Sequence, residues 1–213
     1  MKKVILLLSF VVCGALLRAE EPSKRQLAMA VKTNLLYDAA AVPNLGIEVY
    51  LKKNWTIGTM VDFAWWGNGS YKRNWRYTGV EIEANKWFPG AKHLKPLTGH
   101  HLGVYANIFT YDFALNSHGY IGGRPAGNAF EKANYAFGVD YGYSVPLACR
   151  LNLDFNLGIG YWGGNYHEYR HIDKCYVWEG TSKRKWFGPT KAEITLSWLI
   201  GKGVTCSKGR RIR

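Results

Sequence analysis

Leu151-Asn-Leu-Asp-Phe-Asn-Leu-Gly-Ile-Gly-Tyr161 alternates without a break. Successive side chains of an extended strand point to opposite faces. Leu151, Leu153, Phe155, Leu157, Ile159 and Tyr161 therefore share one face, and Asn152, Asp154, Asn156, Gly158 and Gly160 share the other. A helical period would scatter both sets. The apolar face is uninterrupted, whereas its opposite carries small polar residues and glycine instead of the Lys/Glu mixture of a water-facing surface. That combination predicts a stave of a membrane barrel, with lipid outside and a narrow polar interior.

Working outward, the same two-residue period recurs in seven further segments, at about 27–37, 44–51, 55–65, 75–88, 101–113, 134–145 and 186–200. Residues 44–51 are clear, setting Leu45, Ile47, Val49 and Leu51 against Asn44, Gly46, Glu48 and Tyr50. The strand at 101–113 is ambiguous in facing, because aromatic residues oppose Leu102, Val104, Ala106 and Ile108. Short connections (52–54, 89–100, 146–149) alternate with longer ones (66–74, 115–132, 162–185), as in a barrel whose two ends face different compartments. Only 38–43 breaks that rule. Trp55 and Trp65, Trp75 and Trp87, and Trp186 and Trp198 bracket strands at spacings that suit aromatic belts at two membrane interfaces, although Trp75 and Trp87 have the inward parity.

The expected fold is therefore all-β: an eight-stranded antiparallel up-and-down transmembrane β-barrel over residues 20–200. A soluble lipocalin-like barrel is the alternative, with the apolar faces turned inward around a ligand. Its outer surface would then be the Gly/Asn/Asp/Glu set with almost no lysine, which is an odd surface for water.

Lys2 and Lys3 followed by the apolar run 4–17 read as a Sec-type signal peptide, expected to end at Ala19. Residues 201–213 read as a basic, frayed C-terminal tail. The chain holds 28 Lys and Arg against 15 Asp and Glu, and loss of Lys2, Lys3 and Arg18 with the leader leaves about +10. Export argues against nucleic acid as the partner of this charge and favours anionic lipid headgroups or cell-surface polymers. The expected location is the outer membrane of a Gram-negative cell. Three cysteines, Cys149, Cys175 and Cys206, outlast the leader, and Cys149 and Cys206 fall at the same end of the expected barrel, where they could bridge.

Several constellations bear on chemistry. His167-Glu168-Tyr169-Arg170-His171 matches H-E-x-x-H, but that zinc motif requires a helix. In a strand the two imidazoles would stand about 13 Å apart, too far to share a metal. Lys32, Glu48, Asp62, Glu81, Glu83, Asp140, Asp154 and Glu193 have the inward parity and form an interior network. A barrel of eight strands is just wide enough for side chains to fill, so these charges read as a plug before they read as an ion path. The acids outnumber Lys32, so arginines from the strand ends or trapped water are expected to help. Lys72, Arg73, Arg76, Arg124, Arg170, Lys174, Lys183, Arg184 and Lys185 read as a basic rim suited to lipopolysaccharide phosphates or a surface partner. A catalytic rival would use His118 with Ser117, or His167 with Glu168 and Ser182.

Lys32-Thr-Asn-Leu-Leu-Tyr37-Asp-Ala-Ala followed by Pro43-Asn-Leu-Gly-Ile-Glu48, together with Gly79-Val-Glu81-Ile-Glu-Ala and Gly158-Ile-Gly160-Tyr, resembles a family of uncharacterised outer-membrane barrels. This is a domain of unknown function often encoded near fimbrillin genes in Gram-negative anaerobes. The resemblance implies a location and a link to surface-appendage biogenesis, and it carries no catalytic residues. The expectation is thus a non-enzymatic barrel with basic, aromatic surface loops and no catalytic residue, metal or cofactor. A lipid A-modifying hydrolase or acyltransferase is the alternative, and a small ion pore the third reading.

Overall fold

The computed structural model describes residues 29–67, 73–88, 97–115, 118–123, 133–172 and 175–201. The expected leader and nearly all of the expected tail lie outside them. In chain order the elements are β1 (Met29–Asn34), α1 (Leu35–Ala39), β2 (Asn44–Tyr50), β3 (Trp55–Gly67), β4 (Arg73–Phe88), β5 (Gly99–Leu115), β6 (His118–Gly122), β7 (Asn134–Pro146), β8 (Leu151–Ile172) and β9 (Cys175–Ile200). With β6 set aside, each strand pairs antiparallel with the next, and β1 closes the ring on β9 from Met29↔Ile200 to Asn34↔Thr195. Eight staves make the up-and-down barrel. β6 is an addition at the rim, pairing with β5 at Tyr111↔Gly122 and with β8 at Gly122↔Tyr166, beyond the start of β7.

The faces fall as a lipid-embedded barrel requires. Ile57, Phe63, Val104, Val139 and Leu157 are exposed on the outside, while Lys32, Glu48, Asp62, Asp140 and Asn156 are buried inside. A water-soluble barrel would show the reverse. The ambiguous fifth strand turns Leu102, Val104 and Ile108 outward and His101, Tyr105 and Phe109 inward.

Four local features differ from the sequence expectation. β1 stops at Asn34, whose side-chain oxygen accepts from the Leu36 N–H and caps α1, so the chain turns three residues before the expected strand end. The stretch 115–132 contains β6, hidden because Gly119 and Gly122 supply no apolar pattern. A Cβ on Gly119 would run into the Tyr169 ring, and one on Gly122 into the Tyr111 ring, so both glycines make room for aromatic rings of the adjoining strands. Residues 162–185 are not a loop but the continuation of β8 and β9, paired up to Ile172↔Cys175. Above the lipid neither face need be apolar, so strand continues where the alternation ends.

The last difference is a β-bulge in β9. Gly158 pairs with Lys191 but Ile159 pairs with Pro189, leaving Thr190 as the extra residue. A bulge reverses the facing of everything beyond it. Phe187, Lys185 and Lys183 therefore share the outward face of Ile159 and Tyr161, and Trp186 moves to the face of Trp162. The belt expected from Trp186 is supplied by Phe187, which is 77% exposed. Trp87 also leaves the belt: it is buried against His101 and donates to Thr56 Oγ1 at 2.9 Å.

Inside, three layers stack along the axis. Ala30, Trp87, Leu97 and Leu199 close the end with the short turns, with Tyr50 and Cys149 packed against them. Charged residues occupy the middle. Phe109, Tyr111 and Ala136, joined by Tyr77, Phe113, Trp162 and Tyr166, close the end that carries the long hairpin. Tyr37 of α1 meets the Tyr77 ring edge-on at 6.0 Å and extends this aromatic layer.

Candidate functional site

Two regions carry chemistry: the charged middle of the barrel and the hairpin end. In the middle, Lys32 donates to Glu83 at 2.6 Å and lies 3.1 Å from Glu48. Lys191, absent from the expected network, is its second centre. Its ammonium reaches Glu81 at 2.5 Å, Glu83 at 2.9 Å, and Asp140 and Glu193 at 3.4 Å each. Asn156 donates to Asp140 at 2.7 Å, and His101 Nε2 lies 3.1 Å from Asp154. Asp62 is buried, with one carboxylate oxygen unpartnered. The second cation among these acids is thus a lysine two residues from Glu193, and the ion pairs of the described residues bring no arginine to them. Its parity with Glu193 already pointed inward.

Glu81, Glu83 and Glu193 bring carboxylate oxygens within 4.8 Å of one another, a spacing that suits a metal ion. Lys191 already contacts all three, so an ammonium occupies the position a cation would take. Among the described residues, an aromatic layer above and an apolar layer below flank this electrostatic core.

At the hairpin end, the nine basic residues divide sharply. Lys72, Arg124 and Lys174 lie outside the described residues, and of Arg73 only the backbone is described. Arg76 stacks on Trp65 at 4.6 Å and lies 3.5 Å from Asp112. Arg170 pairs with Glu179 at 3.0 Å and contacts His118 at 2.9 Å. Arg184 covers Trp162 at 4.2 Å and Tyr166 at 4.9 Å, on the face that looks across the barrel mouth. Lys183 and Lys185 are exposed on the opposite face, where the described residues offer neither of them an ion pair.

The strand geometry takes the His167 constellation apart. His167 and Glu168 are consecutive in β8 and so point to opposite faces. His167 pairs in register with Thr181, bonding its hydroxyl at 2.7 Å, which leaves Ser182 on the other face. His167 and His171 stand four residues apart in the same strand, which sets their backbones about 13 Å apart. His118 contacts Arg170 and Glu179, and Ser117 lies outside the described residues. Cys149 is disulfide-bonded and Cys175 is free and exposed; Cys206, the expected partner of Cys149, lies outside the described residues.

One cluster had no counterpart in the sequence reading. Tyr169, 1% exposed, lies across Gly119 and donates to Asp112 at 2.6 Å, and Asn74 donates to both at 3.2 Å. It ties β4, β5 and β8 together across β6. The signal available beforehand was Gly119 itself, a bare position on which a ring can lie.

A family model described as a protein of unknown function (DUF3575) matches residues 5–200. Among solved structures, the crystal structure of a major outer membrane protein from Thermus thermophilus is similar at 13% identity and a TM-score of 0.31, with 83% of this chain and 96% of that chain covered. At that score no residue role passes from one chain to the other. No curated protein matches the sequence.

Proposed function

The chain belongs to the family of proteins of unknown function (DUF3575), which brings no reaction with it, and we propose that the protein is a non-enzymatic barrel of the outer membrane that holds a stiff β-hairpin at the cell surface for a partner there. A fimbrial component, or lipopolysaccharide along the hairpin's base, suits its basic and aromatic character.

The observation that carries this reading is the unequal height of the wall. β1 and β2 end at Asn34 and Asn44, whereas β8 and β9 continue as paired strand to residues 172 and 175. A single isolated hairpin is marginal in water. This one is braced by β6, by the Arg170–Glu179 pair and by the Tyr169–Asp112 bond, bracing that the barrel wall itself does not require. A lipid A-modifying enzyme has less support, because His167 and Ser182 lie on opposite faces of the hairpin.

Replacing residues 165–182 by a tight turn tests the proposal. The shortened chain is expected to keep the heat-modifiable gel migration of a folded barrel while cells lose assembly of the surface appendage. Unimpaired assembly and surface binding in those cells would reject the hairpin as the working part. In deletion and complemented cells the lipid A mass profile is expected to be identical, and a changed profile would restore the enzyme.

A further inference from the structure

We propose that Lys183 and Lys185, with the Tyr135 hydroxyl beside them, form a seat for the phosphate of a glycolipid in the outer leaflet; this rests on the outer-membrane reading above and specifies one ligand for the base of the hairpin. The bulge at Thr190 creates the seat. Without it, parity counted back from Glu193 would send both lysines into the barrel mouth; with it, they continue the lipid-facing column of Ile159 and Tyr161.

Height along that column fixes the ligand class. Tyr161 pairs with Phe187, Gly163 with Lys185 and Asn165 with Lys183. Phe187 and Tyr161 with Tyr135 and Phe137 on β7 make the aromatic belt, in which the Tyr135, Phe137 and Tyr161 ring centroids are 5.8–6.4 Å apart. Residues two apart on a strand rise by roughly 6.6 Å, so Lys185 stands one step above Phe187, level with Tyr135 at the top of the belt, and Lys183 stands one step higher. Aromatic belts sit at headgroup level, which puts the two ammonium groups where headgroup phosphates begin. Gly163 has no side chain, and a Cβ there would lie 2.7 Å from the Tyr135 hydroxyl, so that donor reaches the level of Lys185. No carboxylate lies on this face of β8 from Ile159 to His167 or of β9 from Thr181 to Phe187. Arg76, Arg170 and Arg184 are engaged elsewhere, which leaves these two lysines as the available charge among the described rim residues.

A blander role exists for the same residues. Among the described residues β9 has no strand partner on its β1 edge above Thr195, where β1 ends, and lysines together with Pro189 on a strand edge discourage pairing with another chain. The two roles separate experimentally. The folded full-length chain in detergent micelles is titrated with a fluorescently labelled diphosphoryl lipid A and, in parallel, with its dephosphorylated form. A basic residue near an anionic leaflet is worth about fivefold in binding, so two give about 25-fold. Wild type is expected to prefer the phosphorylated lipid by about that factor, and Lys183→Gln with Lys185→Gln to abolish the preference without weakening the dephosphorylated lipid.

Equal binding of the two lipids by wild type would overturn the seat. So would a preference that survives in the double variant, or a variant whose change is self-association; the last would establish edge protection instead. Competition by millimolar inorganic phosphate as effective as that by the lipid would replace a lipid seat by a plain anion site. Gel migration is read on the same samples. Unshifted migration would sink the barrel reading itself, while shifted migration without phosphate preference sinks only the seat.

Discussion

Replacing Lys191 by methionine keeps most of the side chain's length and removes only the ammonium that joins four carboxylates. Lys191 is 2% exposed at its side chain and lies 2.5–3.4 Å from Glu81, Glu83, Asp140 and Glu193. In Lys191→Met the one lysine left in this network is Lys32, which holds Glu48 and Glu83. Glu81, Asp140 and Glu193 would lose their cation while their carboxylates stay buried. Removing one partner of a buried ion pair costs about 3–5 kcal/mol, because the remaining charge stays buried and uncompensated. With a urea slope of about 2 kcal/mol per molar, the unfolding midpoint in lipid vesicles should fall by roughly 2 M. Adding Glu81→Gln, which removes a carboxylate whose ion-pair partner is Lys191, should recover part of that loss. A midpoint within about 0.3 M of wild type, or no recovery in the double variant, would refute the view of Lys191 as the hub of the core.

Other outcomes follow from single contacts. Gly119→Ala puts a methyl group where the Tyr169 ring lies and should break the Tyr169–Asp112 bond. Bonds to a charged group are worth about 1.5–3 kcal/mol; faster amide exchange at 118–122 and 166–170, with β2 unchanged, is the expected readout. Cys175 is free and exposed near the hairpin tip, so a membrane-impermeant maleimide should label intact cells and fail on Cys175→Ser; absence of labelling on wild type would reverse the topology. The aromatic and apolar layers at the two ends of the interior should give planar bilayers without single-channel steps, and stepwise conductance would mean that the Phe109–Tyr111 layer opens.

Much of this molecule was legible before any coordinates. Leu151 to Tyr161 has its apolar residues half-buried or exposed and its polar ones buried throughout, as its alternation required, because facing in a strand is a local property with a period of two. The inward acids could be named for the same reason. Legibility ended where the period was interrupted. β6 has glycines where apolar residues would announce a strand, and α1 is capped by Asn34, which resembles any other polar residue in the inward column. The bulge at Thr190 reversed the facing of Trp186, Phe187 and both rim lysines, and nothing within β9 alone marks which residue is the extra one.

The sequence by itself determined the architecture: alternating apolar staves, short and long connections, and a polar interior that demands lipid outside. Only the tertiary structure decided which charges meet. Lys191 and Glu81 are 110 residues apart, Lys32 and Glu83 are 51 apart, and their contacts depend on how far each strand is staggered when the ring closes. That stagger is set by all eight staves together, so no single strand carries it.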